Sequence, residues 1–348
     1  MNKKKLILGI LLLIVAVIVF IVSFYFYSVK KEEVGDNSGI FIIESGTKTD
    51  DILKRLQEMG YINNIPIAKL YIRLNNYTLK AGSYSFDKKM SMEMVISKLM
   101  QGDVETKVIT FVEGKRLTSI IKSISDEFDI SEEEIKELIK DQNYIKSLID
   151  KYWFLTDEVL NKDIYYPLEG YLFPDTYVFR IGISIEEIIE SMLDNTESKL
   201  KIYKETITES EYSVHQILTI ASIIELEASK KEDRKDIGSV IYSRLELEMS
   251  LGMCTTTYYA VGKEMTEVLT MKDLNTPSPY NTRDVNLIGL PVGPITNPGI
   301  ISIDSSINPA DNEYLYFLSD KNNKLYFNKT YAEHESTIID LKKQGLWD

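Results

Sequence analysis

Apolar positions in this 348-residue chain follow two regimes: one unbroken run near the N-terminus, then short stretches with strand-like or helix-like spacing. The run from Leu6 to Tyr27 carries no charge. At 1.5 Å per residue, its roughly 22 residues reach about 33 Å, enough to cross a hydrocarbon core. Lys3, Lys4 and Lys5 precede it, and the rings from Phe24 to Tyr27 suit a membrane interface. No small-residue cleavage site lies between Ser23 and Ser28, so a retained single-pass anchor at 6–27 is expected rather than a signal peptide. The lysines favour a cytoplasmic N-terminus over residues 1–5, although Lys30 and Lys31 pull the other way. Residues 28–39 read as a polar linker.

From Ile40 the spacing changes to strand, turn and helix. Phe41-Ile-Ile43 is followed by Gly46, by Thr49 as an N-cap, and by Ile52, Leu53, Leu56 and Met59 on one helical face ending at Gly60. A second helix is expected around Pro66 to Leu74, and a short strand within Ala81–Phe86. Ser91 then caps a helix stopped by Gly102. Residues 40–102 thus form a small α+β module. A weak internal echo follows, because Phe111 to Ile124 repeats the order of apolar residues, glycine and helix begun at Phe41. Asp126 to Asp150 reads as acidic, solvated helix.

The longest buried-looking helix spans Ser213 to Ser229. Val214, Ile217, Leu218, Ala221, Ile224 and Ala228 make an apolar stripe behind the N-cap Ser213. Ile220, Ile223 and Leu226 extend it almost all round. Glu225 falls roughly 40° from Ala221, inside the stripe, and Glu227 falls well outside it. A carboxylate in an apolar stripe has its pKa raised, as a general acid near neutral pH requires. The same position also suits a structural Glu paired with Arg or capping a turn. Glu227 could pair with Lys231 at i, i+4. Arg244, on a helix from Asp236 to Leu247, is a possible partner for a carboxylate. A hairpin around Asp320–Asn323 and a helix carrying a structural His334 close the chain.

Composition narrows the chemistry. Forty basic against 53 acidic residues leave a net charge of -13, which argues against nucleic acid as partner. One cysteine, Cys254, permits no intrachain disulfide. With only His215 and His334 as histidines, a zinc site is not expected, and no nucleotide fingerprint points to a cofactor. Two loops stand out. Tyr165 to Phe179 sets aromatic rings beside Glu169 and Asp175, which suits a sugar groove but also a hydrophobic plug. Asn275 to Gly299 is rich in Pro and Gly and reads as a rigid binding loop.

Three of these stretches together resemble the MltG-type (YceG-like) endolytic murein transglycosylases. They are Ala221-Ser-Ile-Ile-Glu225 with Glu227, then Glu169-Gly-Tyr-Leu-Phe-Pro-Asp-Thr-Tyr177, then Tyr280-Asn-Thr282 with Gly289-Leu-Pro291, Gly293-Pro-Ile295 and Asn297-Pro-Gly299. The resemblance implies an α+β fold with one transmembrane helix, a LysM-like module at 40–102, and a larger catalytic domain at 103–348 with a central buried helix. It implies cleavage between N-acetylmuramic acid and N-acetylglucosamine within nascent peptidoglycan strands, leaving 1,6-anhydro ends. The catalytic acid maps onto Glu225, with Tyr280, Asn281, Glu169, Asp175 and Glu227 holding substrate. No cofactor or metal is implied. The expected partners are glycan strands, the cell membrane and, through the family's setting, wall polymerases and transpeptidases, with the catalytic domain on the outer face. Cys254 departs from the family, which commonly has Asp in the corresponding run. That departure keeps a non-catalytic, peptidoglycan-binding scaffold as the alternative. A serine or cysteine hydrolase using His215 or Cys254 is a third reading.

Overall fold

The computed structural model describes residues 3–35, 40–44, 46–102 and 105–347, and the side chains from residue 7 onward. Part of the expected cytoplasmic N-terminus, the end of the expected linker at 36–39 and the boundary at 103 therefore lie outside the described residues. The chain divides into two compact units, 1–108 with 178–183, and 109–177 with 184–348.

The first unit begins with α1 (Lys3–Lys30), whose apolar side chains from Ile7 to Val22 are exposed. By length and composition this helix can cross a membrane. Its far end is not free, because Val29 is buried and Tyr25 packs against the core of the same unit. The expected linker is in part a strand: β1 (Glu32–Val34) pairs antiparallel with a later strand. A pattern of charged residues hid it, since only Glu33 among these three is even partly buried.

Strand β2 (Phe41–Ile43), helices α2 (Thr49–Glu58) and α3 (Ile65–Leu74), strands β3 (Gly82–Tyr84) and β4 (Lys89–Ser91), and helix α4 (Met92–Gln101) complete the unit. β2 lies antiparallel to β3 with Ile42 opposite Ser83, and β1 pairs with β4 with Glu33 opposite Met90. Phe41, Leu53, Leu56, Tyr84, Val95 and Leu99 form the core. Ser91 caps α4 as expected, its hydroxyl accepting from the Met94 N–H at 3.2 Å, and Gly102 ends it at φ 75°. Thr49 is not the cap of α2. It is the first helical residue, and Lys48 before it makes no side-chain cap.

β5 (Thr106–Thr110) pairs with β6 (Thr176–Arg180). Phe111 thus follows its strand, whereas Phe41 lies within one, so the internal echo is only partial. α5 (Leu117–Phe128), α6 (Glu132–Lys140) and α7 (Gln142–Lys151) come next, then α8 (Ile185–Leu200), closed by a reciprocal cap between Ser184 and Glu187. The short α9 (Lys204–Glu209) leads to α10 (Val214–Glu227). Ser213 accepts from the Gln216 N–H, and Gln216 returns the bond to the Ser213 N–H. Every α10 residue from Val214 to Ile224 is buried except Gln216. Burying side chains such as Ile223 and Ile224 contributes roughly 1.5–3 kcal/mol each.

α11 (Arg234–Glu246), α12 (Cys254–Ala260), α13 (Met271–Leu274), α14 (Ile300–Ile307), the hairpin β7 (Tyr316–Ser319) with β8 (Leu325–Asn328), and α15 (Tyr331–Lys343) complete the second unit. Ile220, Ile223 and Ile224 of α10 share a core with Ile237 and Ile241 of α11 and with Tyr280 and Ile295 of the long loop.

Candidate active site

The buried helix α10 carries two kinds of polar side chain, and helical geometry sorts them. His215, Ser222 and Glu225 fall within roughly 80° of one another about the axis, while Glu227 turns about 200° from Glu225. The first group seats the Pro- and Gly-rich loop. His215 Nε2 lies 2.9 Å from the Val292 carbonyl, Ser222 Oγ accepts from the Ile295 N–H at 3.1 Å, and Glu225 accepts from the Gly299 N–H at 3.0 Å. The other oxygen of Glu225 accepts from Arg234 at 2.8 Å, and both side chains of this pair are more than nine-tenths buried.

Glu225 is therefore dry, as its place in the stripe suggests, but it is not free. A guanidinium and a backbone N–H hold its two oxygens, which is the structural pairing that a Glu in an apolar stripe also suits. The partner is Arg234. Arg244 instead donates to the carbonyls of Leu315, Ser250 and Leu251.

Glu227 faces a cleft of about 450 Å³ lined also by Arg244, Cys254, Arg283, Tyr316, Phe317, His334 and Trp347. Where helical spacing suggests Lys231 as partner, the carboxylate accepts from Thr255 Oγ1 at 2.8 Å and more loosely from its N–H. Burial raises its pKa above the ordinary 4.5, against the opposing pulls of Thr255 and of the Arg283 charge. The cleft thus holds a carboxyl group biased toward keeping its proton, beside aromatic walls and two guanidinium groups.

Glu227 alone among the six sequence-derived site residues lines this cleft. Glu169 is almost wholly buried. It accepts from the Leu117 N–H at 2.9 Å, capping α5 from outside, and from Asn297 Nδ2 and the Tyr259 hydroxyl. Burial pushes its pKa up to about 8. Asp175 accepts from the Thr176 N–H and from Asn195, which hold its pKa below the ordinary carboxylate value. Tyr280 is buried against Tyr165 and Tyr259. Asn281 is buried, with Oδ1 accepting from Thr257 and the Arg283 N–H, and Nδ2 donating to the carbonyls of Leu274 and Thr276. Tyr280 and Asn281 thus offer no exposed atom to a sugar, and their contacts shape the loop. The aromatic stretch behaves as the hydrophobic plug: Leu168, Tyr171 and Leu172 are buried.

Arg234, Asn297, Thr255 and Arg283 escaped the sequence reading. Asn297 ties the site together, accepting from the N–H groups of Gly170 and Leu172 while donating to the Lys115 carbonyl and Glu169. Its place in Asn297-Pro-Gly299 was the available signal. The hydrolase reading finds no support in the geometry. Both ring nitrogens of His215 are engaged, with Tyr171 and with Val292, and Cys254 Sγ accepts from Arg283.

A model of the YceG-like family matches residues 41–339. The endolytic murein transglycosylase of Bacillus subtilis (strain 168) is 38% identical over 296 residues, covering 84% of this chain and 81% of that protein. That of Streptococcus pneumoniae (strain R6) is 32% identical over 317 residues, which are 86% of this chain and 57% of its own. Among solved structures, that of a putative YceG-like protein from Listeria monocytogenes superposes with a TM-score of 0.63 at 36% identity, covering 88% of this chain and 99% of that one.

Proposed function

Because the chain belongs to the YceG-like family, we propose that it is an endolytic murein transglycosylase that cuts peptidoglycan glycan strands from within. The observation that carries this reading is the proton-retaining carboxyl of Glu227 at the wall of a cleft large enough for sugar rings. An ordinary glycosidase needs a second carboxyl as nucleophile or base. In a lytic transglycosylase the sugar supplies its own nucleophile. Glu227 protonates the oxygen that bridges muramic acid to glucosamine, and the C1–O bond breaks. The C6 hydroxyl closes onto C1 as a 1,6-anhydro ring and returns its proton to the carboxylate. One residue serves as acid and then as base, so its pKa must lie near ambient pH.

This moves the acid from Glu225 to Glu227. Glu225 has a guanidinium on one oxygen and an N–H on the other, so both oxygens are taken by fixed donors, and it does not line the cleft. We assign Glu225, Glu169, Tyr280 and Asn281 to positioning of the loop beside the cleft, and Asp175 to the turn that starts β6. Residues 40–102 are proposed as a LysM-like module, a reading supported by the order β2–α2–α3–β3 with β2 antiparallel to β3. Helix α1 would anchor the chain in the cell membrane with its N-terminus in the cytoplasm, the catalytic domain on the outer face near wall polymerases and transpeptidases, and α10 as the central helix of that domain.

The test digests purified sacculi with the full-length chain in detergent micelles and measures anhydro-ended fragments by mass spectrometry. Wild type and Glu225→Gln should release them, and Glu227→Gln should not. Binding without release by the wild type would replace the enzyme with a wall-binding scaffold.

A further inference from the structure

We infer that Arg283 is a specificity-determining residue of this cleft, reading a carboxylate carried on the sugar bound beside Glu227. The inference rests on the functional reading above and deepens it. Arg283 follows the buried run Tyr280-Asn-Thr282, and its backbone N–H donates to Asn281 Oδ1 at 3.2 Å, so the root of the side chain is fixed. The side chain itself is exposed and lines the cleft. Its Nε donates to Cys254 Sγ at 3.1 Å. Among the described residues, its two terminal nitrogens have no hydrogen-bond partner.

The other guanidinium on the cleft cannot do the same work, because Arg244 spends Nε and Nη1 on three backbone carbonyls. Arg283 therefore presents an open planar fork within electrostatic range of the candidate acid, in a chain whose net charge is -13. Such a fork matches a carboxylate with two parallel hydrogen bonds, which a hydroxyl or an amide cannot reproduce. A neutral amino sugar offers no such group. Muramic acid does, through its 3-O-lactyl ether, either as the bare lactyl carboxylate or as the acids of a peptide stem attached there. Cys254 contributes by what it lacks. A carboxylate at position 254 would compete for the fork, whereas the thiol engages Nε and leaves the rest open.

The experiment measures binding by the full-length chain in micelles, carrying Glu227→Gln so that no turnover intrudes. Four muropeptide-derived oligosaccharides serve as probes: one with bare lactyl carboxylates, one with peptide stems, and each again with its carboxyls capped as methylamides. At least one uncapped probe should bind about tenfold more tightly than its capped twin, and the pair that shows this names the source of the carboxylate. Adding Arg283→Gln should erase that preference without moving the melting temperature. Arg283→Lys should keep part of it, and Cys254→Asp should reduce it by drawing the guanidinium away. Equal binding of capped and uncapped probes would overturn the assignment, as would a preference that survives Arg283→Gln. Failure of the Glu227-intact chain to make anhydro ends is scored separately, in the sacculus assay. It would remove the enzyme while leaving a carboxylate preference at Arg283 standing.

Discussion

Glu225 and Glu227 stand two residues apart on α10, and the same helix delivers them into opposite chemistries. Around Glu225 the chain is dry and every lone-pair direction that matters is taken by Arg234 or the Gly299 N–H. Around Glu227 the chain opens into a cleft, the contacts come from the short Thr255 side chain and its backbone, and the proton is held more tightly than in water. Burial is common to both. The difference lies in what stands against the carboxylate: Arg234 bonds Glu225 directly, whereas the donor to Glu227 is the neutral Thr255. Dryness alone does not make an acid.

The strongest way to break this contrast is to exchange the two residues' amide analogues. Glu227→Gln should lower release of anhydro-ended fragments by roughly 10²–10⁴-fold, the usual contribution of positioned acid–base catalysis, with the melting temperature nearly unchanged. A folded Glu225→Gln that is silent, beside an active Glu227→Gln, would reverse the two roles. Next in size is Arg234→Met, which leaves Glu225 buried without its cation. A loss of about 3–5 kcal/mol in unfolding free energy is expected from urea denaturation, and much of it should return when Glu225→Leu is added.

Glu169 sharpens the comparison from a third side, because it is buried more fully than either and lines no cleft. Its pKa is raised from the ordinary 4.5 to about 8. The folded chain then holds a proton that the unfolded chain has already released, so stability on this account is greatest below about 4.5 and falls as pH rises toward about 8. Glu169→Gln should abolish that slope, and the difference in melting temperature, variant minus wild type, should grow with pH across the window. A flat difference would mean that the carboxylate is already charged in the fold. The smallest effect belongs to Thr255→Val. Removing a donor to the Glu227 carboxylate should raise that pKa further, shifting the descending limb of the pH–rate profile to higher pH. A limb that stays in place would mean that another group sets it.

Much of the local structure was legible in the chain. Ser91 and Ser213 were read as caps and each makes its bond to the third N–H of its helix, because capping depends on a handful of adjacent residues. The hairpin around Asp320–Asn323 was equally local, with Phe317 set opposite Phe327. The strand Glu32–Val34 was not legible, since its charged residues gain their place only by pairing with the distant strand Lys89–Ser91. Arg234 was missed for the same kind of reason. It lies nine positions beyond Glu225, past the end of α10, and no helical periodicity carries across such a turn.

By itself the sequence determined that a long apolar helix opens the chain, that α10 is buried nearly all round, and that its two glutamates point in different directions. These follow from composition and from the 3.6-residue period, which are properties of consecutive residues. Which glutamate faces the cleft and which is tied to a fixed cation was decided only by the tertiary structure. A carboxyl's chemistry depends on the charges and donors within a few ångströms of it, and those around the two glutamates are Arg234, Gly299, Thr255 and Arg283, brought together from four separate stretches of the chain.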